Sequence, residues 1–112
     1  MRGIRQDDGV LTAYNNTVWG VGTDGKTRMS FGFLRAGGAL TQSNNAVGQC
    51  VVDAAEWYGP AVVTLTSQPY TSYTASSIDL VPRPGSQLLA AGVVVPDYTV
   101  GDPPDIGFTG AK

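Results

Sequence analysis

The sequence predicts a mainly β protein: a single small β-sandwich or barrel-like domain over residues 1–112, with at most one short helix at about 45–58 and extended terminal arms. Three observations carry that prediction. Among 112 residues there are thirteen valines and eleven threonines but one glutamate, Glu56, and two lysines, Lys26 and Lys112. β-Branched residues favour strands, whereas glutamate and lysine are strong helix formers. A hairpin signal lies near the amino terminus, and the second half is a series of short apolar runs separated by proline and glycine.

The first nine residues are charged and carry little apolar periodicity, so they read as an extended arm preceding a β-rich core at 10–100. The hairpin comes next, with Thr17–Gly22 and Thr27–Phe33 flanking Thr23-Asp24-Gly25-Lys26. Asp-Gly at the centre suits a type I′ turn. Pairing Thr23 with Lys26 sets Val21 opposite Arg28, Gly20 opposite Met29 and Trp19 opposite Ser30. Alternation then puts Val18, Met29, Phe31 and Phe33 on a core face, and Trp19, Val21, Arg28 and Ser30 on the other. Arg35 to Leu40, with Gly37-Gly38, reads as a connection, since a phosphate loop would need a lysine and a hydroxyl that are missing.

From Asn45 to Tyr58 the apolar positions Val47, Cys50, Val51, Ala54 and Trp57 recur at helical spacing, with Ser43, Asn44 and Asn45 as caps and Gly59-Pro60 as a stop. The spacing predicts a helix, although Gly48 and Val51-Val52 weaken helix propensity. Strands are expected over 61–66, 70–74, 78–81, 88–95 and 98–100. Residues 101–112, rich in glycine, proline and aspartate, read as a second arm. No internal repeat stands out.

Seven basic against nine acidic residues give a net charge of −2, which offers no footprint for a phosphate backbone, so no direct nucleic-acid partner is expected. No apolar run has the length of a membrane span or an export signal, and a cytosolically made, soluble chain without a membrane partner is the expectation. Glycine and proline together are 22 of 112 residues, below the share that marks a low-complexity chain.

Histidine is absent and Cys50 is the one cysteine, which removes histidine-based triads and Cys/His metal sets. Asp53 and Glu56 read as a solvated face rather than a catalytic carboxylate pair. Asp7-Asp8 and the trio Asp97, Asp102 and Asp105 do not follow a calcium-loop spacing. No enzyme activity, no metal and no cofactor are therefore expected.

Two surface features point to partners. Trp19 and Arg28, on the outer face of the predicted hairpin, pair an aromatic with a guanidinium, residue types enriched at interface hot spots. Arg2 and Arg5 lie in one arm; Asp97, Asp102 and Asp105, with Phe108, lie in or just before the other, so that arms of neighbouring subunits could meet by complementary charge. The expectation is a structural virion protein of a tailed bacteriophage, made in the host cytoplasm. It would be a capsid decoration or cement subunit that binds the major capsid or another virion protein and itself as a homo-oligomer. The alternative is a carbohydrate- or receptor-binding β module, with Trp57, Tyr58, Tyr70 and Tyr73 as stacking platforms.

Overall fold

The computed structural model describes residues 2–59 and 61–106. Among them every regular element is a strand, so the mainly β class expected from the sequence is what the chain forms. The arrangement is a stack of coils rather than a pair of facing sheets. Coil 1 contains β1 (Arg2–Gln6), β2 (Val10–Tyr14) and β3 (Thr17–Trp19). Coil 2 contains β4 (Phe31–Arg35), β5 (Ala39–Ser43) and β6 (Asn45–Gly48). Coil 3 supplies β7 (Val52–Ala55) and β8 (Val62–Thr64).

All pairings between coils are parallel: β1-β4-β7 form side A, β2-β5 side B and β3-β6-β8 side C. Arg2 pairs with Phe31, Val10 with Ala39 and Thr17 with Ala46, so each coil-1 strand lies 29 residues before its partner. This is a parallel β-solenoid, in which each coil buries its apolar face only by stacking on the next.

The uniform step exposes a repeat that the sequence reading passed over. Between 2–19 and 31–48, Gly3 matches Gly32, Gly9 matches Gly38, and Leu11 and Thr12 match Leu40 and Thr41; Asn15, Asn16 and Val18 match Asn44, Asn45 and Val47. The glycine and asparagine matches have physical causes. Gly9 and Gly38 turn the corner between sides A and B with φ of 79° and 89°, a backbone that glycine adopts without strain. A Cβ on Gly32 would run into the Val47 side chain and the Asp53 carbonyl. Asn15 and Asn44 turn the next corner with φ of 60° each; asparagine is among the few L-residues at home there. Asn16 and Asn45 then point inward. Asn45 Nδ2 donates to the Ala13 carbonyl (3.0 Å) and Gln42 Oε1 (2.7 Å), while its Oδ1 accepts from the Asn16 backbone N (3.0 Å) and Nδ2 (3.0 Å).

The helix expected at 45–58 is replaced by β6, a corner at Gln49–Val51 and β7. Its apolar spacing was real but belonged to the coil: Val47, Cys50 and Trp57 meet Phe33 and Ala13 inside the solenoid, whereas Val51 points out at 70% exposure. Parallel ladders on both sides of β6 satisfy its backbone, and positive φ at Gln49 and Glu56 ends any helical path.

The expected hairpin is realised only at its tip. Val21 bridges Arg28 and Met29 N donates to the Gly20 carbonyl, in the anticipated register. Beyond these residues the chains part, because β3 pairs with β6 and β4 with β1. Residues 20–30 are thus a loop at the corner between sides C and A, where coil 2 uses only residues 49–51. The turn is not type I′, since Gly25 alone has positive φ. Asp24 holds it instead, accepting from the backbone N–H groups of Lys26 and Thr27 (2.8 Å each) and from Thr27 Oγ1 (2.6 Å).

A second layer covers the outside of side C. Leu65, Leu88 and Ile106 pack on Ala46, with Trp19, Val63 and Ala91 at the margin. Where strands were expected over 70–74 and 78–81, β9 (Tyr70–Thr74) and β10 (Ser77–Pro82) form an antiparallel hairpin. Residues 88–100, expected as strands, run as turns and irregular chain. Their backbone is held by side chains: Asn44 donates to the Val93 carbonyl (2.8 Å) and accepts from its N–H (2.7 Å), and Asn15 Nδ2 donates to the Tyr98 carbonyl (3.0 Å).

The described parts of the two expected arms are built into the fold. β1 is a ladder strand, Ile4 packs on the inner core and Gln6 is 4% exposed; at the other end Pro104 and Ile106 are fully buried. Low apolar content hid this, because one or two buried side chains and a row of backbone hydrogen bonds suffice to fix such a segment.

Candidate docking surface

The two ends of the solenoid differ. At the coil-3 end, Trp57 closes the interior from below, stacking on Phe33 with ring centroids 4.8 Å apart and planes 20° from parallel, and its Nε1 donates to Gln42 Oε1 (3.3 Å). Gly59 lies directly against Gln42 of β5. Gln87 closes β8: its Nε2 donates to the Thr64 carbonyl (3.0 Å) and its Oε1 accepts from Thr66 N (2.7 Å). β7, β5 and β8 are the outermost strands there, with side chains from Trp57 and Gln87 bonded to sides B and C and Asp53 and Glu56 beside β7.

At the coil-1 end, β1, β2 and β3 are each the outermost strand of their sheet, and none has a second partner among the described strands. Three edges therefore present unpaired backbone donors and acceptors around one rim, the feature that promotes pairing with another chain. Val10 of β2 is 82% exposed, the most exposed large apolar side chain of the described residues.

A groove runs beside this rim, between the 20–30 loop and the β9–β10 hairpin. It consists of three hollows of about 190 to 250 Å³ that share walls. Trp19, Met29 and Tyr73 line the two nearer the loop; Thr17, Tyr70 and Leu80 line the two nearer the corner. Arg28 is its charged residue. Two buried polar atoms, Asn15 Oδ1 and Thr17 Oγ1, belong to residues of the corner hollow and have no hydrogen-bond partner among the described residues. Burial pushes the Tyr70 phenol up to about 12, with the neighbouring Tyr73 adding to it, so this wall carries no phenolate near neutrality.

The predicted partner residues fall in different places. Trp19 and Arg28 come together at the groove, with Trp19 half-buried and Arg28 exposed. Arg2 and Arg5 lie on β1 at the open rim, and Arg5 Nε pairs with Asp7 Oδ1 in its own coil. Asp105 accepts from Ala90 N (2.7 Å), an intramolecular cap. Asp97 and Asp102 are exposed in the turns before and after Gly101, and Phe108 lies outside the described residues. Of the proposed stacking aromatics, Trp57 is core and Tyr58 sits at the coil-3 corner, bonded to Glu56 (2.8 Å), which raises its phenol; only Tyr70 and Tyr73 reach the groove. Sequence reading missed the rim itself, and the signal that would have found it was the 29-residue repeat.

Cys50 lies in the inner core; burial first, and then the Asp53 carboxylate, push its thiol up. Among the described residues no three His, Cys, Asp or Glu side chains gather as a metal set. Comparison with known proteins yields no matching family model, no matching curated protein and no matching solved structure.

Proposed function

We propose that this chain is a structural subunit that works by contact with neighbouring protein and not by catalysis, and that its setting is a tailed-phage particle on which it decorates or cements the shell. One observation carries the contact reading: the rim of coil 1, where β1, β2 and β3 are each the outermost strand of their sheet and have no second partner among the described strands. An edge of this kind binds by adding strands from a partner, with main-chain hydrogen bonds supplying affinity. The virion setting comes from the sequence reading, in which size, strand content and the lack of histidine favour a subunit whose contacts are multiplied by valency. The partners are then a major capsid or other virion protein and further copies of the chain.

Sedimenting particles from a producing culture and quantifying the chain by mass spectrometry tests this. A fixed copy number per particle that falls at least tenfold for Val10→Lys is expected. A chain found wholly in the unsedimented fraction overturns the particle reading.

The groove favours a second reading, a carbohydrate- or receptor-binding module, because Trp19, Tyr73 and Arg28 line one hollow. A glycan array probed with the purified chain separates the two: specific binding lost in Trp19→Ala supports the module, and a blank array leaves the contact reading.

A further inference from the structure

We propose that the groove beside β3 receives an extended segment of a partner protein, added as a strand to the free edge of β3, with apolar side chains at alternate positions and an aspartate or glutamate at the Arg28 end. The inference rests on the reading of coil 1 as a contact surface and goes beyond it by naming the edge used and the chemistry of its occupant.

The groove follows the strand. Its three hollows are lined in chain order by residues 15–17, 17–19 and 19–22, so that Thr17 joins the first to the second and Trp19 the second to the third. On the far wall Tyr70 and Leu80 serve the first two hollows and Tyr73 the last two. Thr17 and Trp19 stand two residues apart, about 7 Å along a strand, which is also the step between same-side side chains of a second strand laid beside it.

The free backbone groups of β3 sit at the same two residues. The Asn16 carbonyl accepts from Ala46 N and Gly20 N donates to the Gly48 carbonyl (2.8 Å each), so residues 16, 18 and 20 bond towards β6. Thr17 and Trp19 therefore turn their N–H and C=O groups to the opposite edge, where β3 has no second partner among the described strands. Other strands are outermost as well. At β3 the free main-chain groups and the hollows for side chains coincide, and strand addition uses both, main-chain bonds for affinity and side-chain pockets for specificity.

Charge defines one end of the occupant. Arg28 is the one charged residue lining the three hollows, and the ion pair of the described residues, Arg5 with Asp7, does not involve it. The loop's own carboxylate, Asp24, is taken up by Thr27 and two backbone N–H groups. A carboxylate on the partner supplies the counter-charge. The middle hollow is walled by Val18, Met29, Leu80 and aromatic rings, which suits the apolar side chains of a strand better than the hydroxyls of a sugar.

Selection of an mRNA-displayed library of random short peptides on the immobilised full chain, followed by amide exchange of the complexes by NMR, tests the proposal. Enriched peptides are expected to alternate apolar and polar residues and to carry Asp or Glu near one end. Their binding falls at least tenfold in Leu80→Lys and in Arg28→Glu, both exposed positions, with unchanged circular dichroism spectra. In the complex the Thr17 and Trp19 amides exchange at least tenfold more slowly, while that of Val18, already turned to β6, changes little. A library that yields no binder, or binders that leave the Thr17 and Trp19 amides unprotected, overturns strand addition; so does a groove that takes a glycan on an array while enriching no peptide. A chain that co-sediments with particles but enriches no peptide overturns this inference alone; one that enriches such peptides but is absent from particles overturns the particle reading alone.

Discussion

Coil 1 and coil 2 share the same turn residues and the same asparagine pair, yet they stand in different physical positions. Coil 2 has a coil on either side, so Phe33 is fully buried, and so is Asn45, which bonds to coil 1 and to Gln42 of its own coil. Coil 1 has a neighbour on one side only. Ile4, the equivalent of Phe33, is half-buried, and Asn16 bonds to its own coil and the one below. In a solenoid the energy of a residue type is thus set by whether its coil is inside the stack or at its end, since each repeat contacts only its nearest neighbours.

Four experiments sharpen that contrast. Phe33→Ala removes a fully buried ring and the platform on which Trp57 stacks, and is expected to cost about 3–5 kcal/mol by chemical denaturation. Ile4→Ala, at the matching position of the end coil, is expected to cost about 1–2 kcal/mol, because the site is part open already. Equal costs for the two would show that coil 1 is as well covered as coil 2 and would contradict the inside-versus-end account.

The asparagine ladder is the next step down. Asn45→Ala strands the Ala13 carbonyl and the Asn16 N–H in the interior and is expected to cost about 2–3 kcal/mol. Asn16→Ala costs about 1 kcal/mol, since Asn45 Oδ1 keeps its bond from the Asn16 backbone. Thermal melts of the two variants decide the ranking, and a reversed order would contradict the inside-versus-end account.

Asn44→Gly preserves the corner backbone but releases Val93. An expected loss of about 1–2 kcal/mol is accompanied by faster amide exchange confined to 88–100, read by hydrogen-exchange mass spectrometry. Exchange that accelerates across the coil strands as well would mean that the outer segment supports the solenoid and does not merely lie on it.

The smallest effect is a pH response in the corner loop. The Thr27 hydroxyl and the backbone N–H groups of Lys26 and Thr27 hold the Asp24 carboxyl down at about 2 from its usual 3.8. A depressed folded value means that the loop is supported above pH 3.8 and loses that support as pH falls towards 2. Amide exchange at Lys26 and Thr27 rising across that window, and unchanged with pH in Asp24→Asn, is the expected record.

Much of the strand content was legible residue by residue. Valine and threonine abundance identified the class, Asp24-Gly25 located the loop tip, and the proline-bounded runs located β8, β9 and β10. The misreadings share one origin. Val47, Cys50 and Trp57 form one buried group because three sides of a coil converge, and an apolar period of that length is indistinguishable from a helical one within a single window. Likewise β1, which carries a single strongly apolar side chain, is fixed by a partner 29 residues away.

By itself the sequence determined the local chemistry: which residues accept a left-handed corner, where a β-branched run must extend, and that no histidine is at hand for catalysis. Only the tertiary structure decided that the strands stack in parallel, that the amino-terminal segment joins side A while Ile106 joins the outer layer, and that β1, β2 and β3 are edge strands among the described residues. Local preference acts over a few bonds, whereas the coil exists only when segments 29 residues apart pair and share one interior, a cooperative choice that no single window contains.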